Sequence, residues 1–580
     1  MSQEATHPTG GDLVARTLKA AGVTQIFALH GGHHEALFKG CVDEGINLLD
    51  FRHESAAGHA ADAYARTTGE LGVCVVTAGP GFTNAVSAIT NAQLDGSSVL
   101  FIIGAPPLRE VETNPLQGGI DQIAAVRPLC KWAISIPATE RIPDLTAMAI
   151  RKAMTGRKGP VVVEIPIDIL HMSVPDALAT PPSGLKVRPR PAPSPDEIDQ
   201  LVQMIRKARR PAIIAGFEAI SQTAAEALTR LADQTRIPVF VKTQAIGLLP
   251  MDHPTYGGAA GNLAVLPMIG AERPDLVILL GARMGLLLGG RSGAIVPDDA
   301  TVAQIHSDAG EIGRMRDVDL GIAASVETTL KVLNDKLGQG AAVNFSDWCA
   351  TATSARDLFI ASFPERETAA GVHPFHAARA VMDAAGPSAV YVLDGGESAS
   401  WGGAVVNVDG PGRVLSHGYL GCLGIGPGFA IGGQVAHPER RVIQITGDGT
   451  MGFHIQELDT MVRHKLPVVT VVLNNQVWGM SIHGQQIMYG QNYNVITKLG
   501  GANYASISAA FDCYSERVST FDDIGPAMAR ALASGKPALI EIMTDPDAVH
   551  PVTVSMLGKV ADGSADVMIP YYENIPARTH

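Results

Sequence analysis

No apolar run in the chain approaches the roughly 18 residues that a membrane-crossing helix needs. The longest stretches, such as Val99–Ile103 and Val468–Leu473, have strand length. Cysteine pairs are missing too: the six cysteines, at 41, 74, 130, 349, 422 and 513, are scattered with no CxxC. That excludes a disulfide framework or zinc ribbon and fits reduced, buried thiols in a cytoplasmic setting. There is no basic run, and 44 Lys+Arg against 57 Asp+Glu leave a net charge of −13. Such a chain is a poor partner for nucleic acid or a membrane surface. The polar start Met1–Gly11 shows no secretory pattern. A GxGxxG turn is absent after the first expected strand, where Ala28-Leu-His-Gly-Gly stands instead, which argues against a dinucleotide site at that point.

What the chain does have is apolar surface to bury. Hydrophobic residues make up 46% and charged residues 17% of 580, so disorder is excluded, and at ~150 residues per domain three to four domains are expected. Many of the 62 glycines punctuate β-branched runs. Val73–Thr77 leads into Ala78-Gly-Pro-Gly81, Val99–Ile103 into Gly104-Ala-Pro-Pro107, and Val277–Leu280 into Gly281. Val392-Leu393 precedes Asp394-Gly-Gly396, and Val442–Thr446 precedes Gly447-Asp-Gly449. Continuous apolar strands separated by helical patterns predict parallel sheets covered on both faces. Ligands in such sheets bind beyond the carboxyl ends of the strands, where these turns fall. The proline-rich stretch Thr180–Glu197 reads as a spacer without helix or central strand, and residues 336–373 read as looser chain. The expected fold class is α/β, with three doubly wound parallel-sheet domains at 1–180, 195–340 and 373–545. A tail at 546–580 is a candidate lid.

The sharpest chemical signal is Gly447-Asp-Gly449, followed after one more strand (Pro467–Leu473) by Asn474-Asn475. An Asp carboxylate and an Asn amide oxygen at neighbouring strand ends offer two hard ligands, which suits magnesium completed by phosphate oxygens. Gly449 and Thr450 open a helix whose free N–H groups suit a diphosphate. An isolated Gly-Asp-Gly is usually only a turn; the spacing to the double Asn is what makes it chemical.

These motifs carry a family resemblance. With Ala28-Leu-His-Gly-Gly-His33, Arg52-His-Glu54, Ala56-Ala-Gly-His-Ala60, Gly81-Phe-Thr-Asn84, Ile120-Asp-Gln122 and Ser416-His-Gly-Tyr-Leu-Gly421, the chain resembles the thiamine-diphosphate enzymes of the acetolactate synthase and decarboxylase group. Within that group it looks nearest to benzaldehyde lyase, although Pro80 stands where that branch has glycine. The resemblance spans about Gly10 to Asp545. It implies a pyrimidine-binding domain, a central domain and a diphosphate-binding domain, with cofactor held between the first domain of one subunit and the third of another. At least a homodimer, commonly a homotetramer, follows.

The resemblance also implies residue roles. Glu54 shares a proton with the pyrimidine ring nitrogen N1′, and Asn84 is a weaker candidate at that end. Asp448 and Asn475 ligate Mg2+ through side chains and Val477 through its carbonyl. Gly396, Ser398, Gly449 and Thr450 hold the diphosphate, Gly421 accepts from the aminopyrimidine, and Leu423 wedges the cofactor, though a plain core Leu would read the same. Met480, where the lyase branch has alanine, is a further cofactor-binding candidate. His33 takes or orients the substrate hydroxyl proton with help from Gln117, and His30 and His417 are secondary hydrogen-bonders. Structural roles account equally well for His30, His53, His59 and His417, and His34 reads as an extra, exposed histidine. At positions where the lyase branch has bulky rings this chain has Ile167, Ala399 and Gly484. The expected activity is carbon–carbon cleavage and ligation of 2-hydroxy ketones. A 2-hydroxyacyl-CoA lyase or an acetolactate-synthase-like 2-oxoacid carboligase or decarboxylase is the alternative.

Overall fold

The structure is a computed structural model that describes residues 7–185, 188–290 and 292–557. Three six-stranded parallel sheets organise it. The first contains β1 (Gln25–Ala28), β2 (Asn47–Asp50), β3 (Gly72–Val76), β4 (Val99–Ala105), β5 (Trp132–Ser135) and β6 (Val161–Pro166) in the order β2-β1-β3-β4-β6-β5. The second contains β7 (Pro211–Ala215), β8 (Val239–Val241), β9 (Tyr256–Ala259), β10 (Leu276–Leu280), β11 (Thr301–Ile305) and β12 (Leu320–Ile322) in the order β12-β11-β10-β7-β8-β9. A short antiparallel pair, β13 (Glu367–Thr368) and β14 (Gly371–Val372), precedes the third sheet. That sheet contains β15 (Val390–Leu393), β16 (Val414–Ser416), β17 (Val442–Gly447), β18 (Val469–Asn474), β19 (Tyr514–Val518) and β20 (Ala538–Met543), ordered β16-β15-β17-β18-β20-β19.

Burial explains the strand composition. Every residue of β3, β4 and β10 is buried, as expected of central parallel strands covered on both faces. The α/β reading with three parallel sheets therefore holds, and the glycine turns sit at the carboxyl ends of the strands as expected.

The chain gathers into two compact units. One comprises residues up to Pro189 together with His417–Glu439 and Phe453–Val468, and the other Arg190–Ser416, Arg440–Gly452 and the residues from Val469 onward. In the first unit the helix Gly426–Ala436 lies against the helix Glu54–Thr68. A Cβ at Gly428 would come within 2.6 Å of the Ala56 carbonyl oxygen and one at Gly432 within 2.2 Å of that of Ala60. Only glycine lets the two backbones approach so closely. The same helix buries Arg66, whose guanidinium meets Asp62 at 2.6 Å and Asp95 at 2.9 Å. Removing Arg66 would strand two buried carboxylates, and breaking a buried pair in this way costs about 3–5 kcal/mol.

Three expectations need correction. Residues 336–373 are not loose throughout, because Ser346–Ala361 is a 16-residue helix. Its buried seam is Cys349, Ala352 and Ala355, residues too small to give an apolar stripe in sequence. Thr180–Glu197 does contain helix: Pro195–Lys207 starts inside it, with Ser194 and Glu197 forming a capping box. Pro195 occupies the first helical position, where the missing N–H costs nothing. The third correction concerns His34, below. Of the tail given as a candidate lid, residues 558–580 lie outside the described residues.

Candidate functional site

In the first unit, Glu54 opens the helix Glu54–Thr68 just after β2, and the ring of His53 caps that helix by accepting from the Ser55 N–H at 3.1 Å. Glu54 is 8% exposed. The Asn84 amide, near the start of the helix Pro80–Asp95, donates to its carboxylate at 3.0 Å. The structure thus brings the two pyrimidine-end candidates together. Beside them an open cleft of about 530 Å³ is lined by Ser55, Asn84, Cys422, Leu423, Phe453 and His454 among others, so Leu423 faces a cleft and is not sealed in the core. Gly421 adopts a left-handed backbone at φ 63°, which favours glycine in this turn.

Sequence reasoning missed what holds Glu54 in place. The Glu457 carboxylate accepts from the Arg52 N–H at 3.2 Å and from the Thr460 hydroxyl at 2.7 Å. Burial pushes its carboxyl up to about 7 against the pull of these donors. It pins the backbone two residues before Glu54. No local pattern announces a contact across 405 residues.

His33 follows β1 on the Gly31-Gly32 turn. Its Nδ1 is 2.9 Å from the Thr77 hydroxyl, which follows β3. Burial lowers its pKa, which keeps the ring neutral at neutral pH. Gly104 makes room for it, since a Cβ there would approach the His33 Cβ to 2.8 Å. His34 is fully buried with Nε2 2.9 Å from the Val76 carbonyl oxygen. Burial drives its pKa down to about 4, so it is a structural group and not an exposed histidine. His30 turns outward to Glu35 at 3.0 Å and stacks on Phe38. Gln117 takes a left-handed backbone at φ 60° and packs over Gly79. The neighbouring Gln122 is the more deeply engaged: it accepts from the Gly79 N–H at 2.9 Å and donates to Gly104 O and to Glu164 at 2.9 and 2.7 Å. It ties together the turns that flank His33. His59 is buried beside His454, and His417 reaches the Gly418 carbonyl only at 3.4 Å.

In the second unit, Asp448 follows β17 and Asn475 follows β18, strands paired through Gly447 and Leu473. Burial raises the Asp448 carboxyl to about 6, opposed by backbone N–H groups of Gly449 and Gln476. Among the described residues no Lys, Arg or His pairs with it. The Asn475 side-chain oxygen accepts from the Val477 N–H at 3.2 Å, and Gln476 between them sits at φ 60°. This sharp turn suits presentation of both the Asn475 amide and the Val477 carbonyl. The helix at Asp448 is a single turn, Asp448–Met451, shorter than expected. Gly395 is at φ 112°, and a Cβ there would strike the Ser398 hydroxyl at 2.1 Å and meet Thr450 at 3.1 Å. A Cβ at Gly449 would meet the Trp478 ring at 2.6 Å, and Met480 lies over Gly396.

Three family profiles cover most of the chain. The N-terminal TPP-binding domain of thiamine pyrophosphate enzymes matches residues 8–125, the central domain 198–333 and the C-terminal TPP-binding domain 394–542. The chain belongs to the thiamine pyrophosphate enzymes. It is 33% identical over 556 residues to a probable acetolactate synthase from Mycobacterium bovis, covering 93% of this chain and 96% of that protein. It is 32% identical over 521 residues to 2-hydroxyacyl-CoA lyase 2 from Bos taurus, covering 83% and 81%. A probable acetolactate synthase large subunit from Methanocaldococcus jannaschii is 30% identical over 568 residues, covering 94% and 93%.

The residues present fit the cofactor of this family. Asp448 is a buried carboxylate without a cationic partner among the described residues, as a divalent-cation ligand should be. Gly395, at φ 112°, has no room for a Cβ beside Ser398 and Thr450, so glycine there keeps the backbone and the two hydroxyls close together, as a diphosphate seat requires. No described helix is long and apolar enough to cross a membrane.

Proposed function

We infer that this thiamine pyrophosphate enzyme is a carbon–carbon lyase and carboligase acting on 2-hydroxy carbonyl compounds, 2-hydroxy ketones or 2-hydroxyacyl thioesters. The observation that carries this is His33: a neutral imidazole at a strand end, its Nδ1 engaged by Thr77 and no hydrogen bond to its Nε2 among the described residues. Cleaving a 2-hydroxy carbonyl requires a group to accept the hydroxyl proton, whereas loss of carbon dioxide from a 2-oxoacid does not. When bound, thiamine diphosphate supplies a nucleophilic carbon and an electron sink. Asp448, Asn475 and the Val477 carbonyl would hold its magnesium, Gly396, Ser398, Gly449 and Thr450 its diphosphate, and Glu54 with Asn84 its pyrimidine. His33 Nε2 takes the proton from the substrate hydroxyl as the bond between the carbinol and carbonyl carbons breaks, and the carbinol carbon departs as an aldehyde. In the ligation direction the same nitrogen returns the proton to the new alkoxide.

A second reading is favoured by likeness to the acetolactate synthases over nearly the whole chain: condensation of two 2-oxoacids with release of carbon dioxide. A homodimer or homotetramer is the expected assembly, and the alanine and glycine at 399 and 484 are expected to admit a bulky acyl donor. The deciding experiment supplies magnesium and thiamine diphosphate and offers a 2-hydroxy ketone, a 2-hydroxyacyl thioester and pyruvate in parallel, with products identified by mass. Aldehyde from the first two supports the lyase reading. Carbon dioxide from pyruvate with no aldehyde from the others replaces it with the synthase reading.

A further inference from the structure

Directly after the Gly395-Gly396 turn lies a buried carboxylate that a diphosphate seat ought to exclude. Glu397 is 7% exposed and heads the helix Glu397–Val405. A second negative charge beside an anion site repels the ligand unless it is neutralised. The neutralising group comes from the helix Gly479–Tyr489: His483 Nδ1 is 3.1 and 2.9 Å from the two Glu397 oxygens. The other ring nitrogen of His483 is 2.8 Å from the Pro546 carbonyl oxygen. Both partners can only accept, so the ring carries a proton on each nitrogen and is a cation. Gly479 permits the approach, since a Cβ there would lie 2.8 Å from a Glu397 oxygen. The chain after Pro546 closes the arrangement. The His550 N–H donates to Glu397 at 3.3 Å, the Thr553 hydroxyl donates to the same oxygen, and the His550 ring packs 4.3 Å from Trp401.

We propose that His483 is a positioning residue for the cofactor: its imidazolium neutralises Glu397 beside the diphosphate turn and fastens residues 546–553 to the two helices that flank that turn. The proposal rests on the reading of Gly396 and Ser398 as diphosphate-binding. The other groups facing His483 do not supply the cation. Asp547 adds negative charge, and His550 is held neutral, its pKa pushed by burial down to about 4. Burial alone would lower the His483 pKa, but the Glu397 hydrogen bond and charge outweigh it and the net direction is up. A raised pKa means the pair is intact below the ordinary histidine value and is lost as pH rises through the raised one.

The test titrates thiamine diphosphate with magnesium into the full chain and follows tryptophan fluorescence, because Trp478 lies against Gly449. His483→Gln leaves Glu397 charged and without its imidazolium partner, and is expected to weaken binding by at least about 30-fold, the low end of the range for breaking a buried charge pair. Adding Glu397→Gln removes the stranded charge and should bring affinity back to within about threefold of wild type, a strongly non-additive cycle. Wild-type affinity should fall as pH rises above neutrality, and the double variant should lack that fall. Binding by His483→Gln equal to wild type, or a double variant weaker than either single, overturns the proposal and makes the pair merely structural. Should His483→Gln not fold, the double variant and the wild-type pH limb decide on the same terms. If wild type itself binds no cofactor, the diphosphate assignment falls with it, an outcome separate from equal binding by wild type and variant.

Discussion

The first and third sheets share one strand order, β2-β1-β3-β4-β6-β5 and β16-β15-β17-β18-β20-β19, yet they arm it differently. In this order the chain changes direction between the first and third strands of each sheet, and ligands bind in the crevice at that switch. At the first sheet's switch stand His33 after β1 and Thr77 after β3, joined at 2.9 Å. At the third sheet's switch stand the Gly395-Gly396 turn after β15 and Gly447-Asp-Gly449 after β17. One switch presents a neutral base and a hydroxyl, the other glycine turns and a buried carboxylate that has no cationic partner among the described residues. The first suits proton transfer on an organic substrate, the second an anion with its metal. The shared topology therefore gives these two sheets a candidate site each, and only the turn residues distinguish them.

The largest effect should come from the third sheet. Asp448→Asn, or dialysis against a chelator, is expected to abolish turnover, and magnesium with thiamine diphosphate should restore it in wild type only. Loss of a ligand exceeds the 10–100-fold affinity penalty of losing a group that merely orients one. Full turnover of the chelated enzyme would remove Asp448 and Asn475 from the metal site. Next comes Glu54→Gln, which keeps the Asn84 contact possible but cannot share a proton. Hydrogen exchange at the cofactor's C2 position, followed by NMR, should slow by ~10²–10⁴; wild-type exchange would move the acid elsewhere.

His33→Ala tests the first sheet's switch by itself. C2 exchange should survive while carbon–carbon cleavage slows by about 10²-fold. Because burial lowers the His33 pKa from 6.5, the basic form persists to lower pH than for a free histidine. The acid limb of kcat/KM should therefore lie below pH 6.5 and vanish in the variant. Equal loss of exchange and cleavage would make His33 structural.

How much of this was legible beforehand follows from the range of the interactions. The sheets were readable, and Asp448 and Asn475 could be singled out as candidates, because β-branched runs, glycine turns and strand-to-strand spacing are local signals. Glu54 and Asn84 were each identified, but their contact was not, being a bond between two helices 30 residues apart. Gln122, Glu457 and the Glu397–His483 pair were invisible as partners for the same reason. His34 was misread because its burial depends on the Val76 carbonyl, and the Ser346–Ala361 helix because an alanine and cysteine seam carries no hydrophobic periodicity.

The smallest effect is expected from the central sheet, which sharpens the comparison because its order, β12-β11-β10-β7-β8-β9, is the one in which dinucleotides bind between the first and fourth strands. Here that switch lies between β7 and β10, and the protein's own atoms fill it. A Cβ at Gly216 would strike Ala282 at 2.5 Å, and one at Gly281 would strike the Ala219 nitrogen at 2.8 Å, so the two turns are in contact. The Glu218 carboxylate then accepts from the Ser307 N–H at 2.9 Å and the Ser307 hydroxyl at 2.7 Å, and lies 3.4 Å from His306 Nε2. A carboxylate on those donors takes the place a phosphate would use and repels an anion. The central switch should therefore bind no nucleoside diphosphate. Glu218→Ala should cost about 1–3 kcal/mol of stability by orphaning the Ser307 donors, read as a lowered Tm, while turnover with saturating thiamine diphosphate stays within about twofold, a shift of under half a kcal/mol in the barrier. Calorimetric titration of wild type with FAD or ADP should show no heat of binding. Tight flavin binding that Glu218→Ala leaves unchanged would mean that a nucleotide enters the central domain by another route, and the contrast between open and closed switches would no longer separate the three sheets.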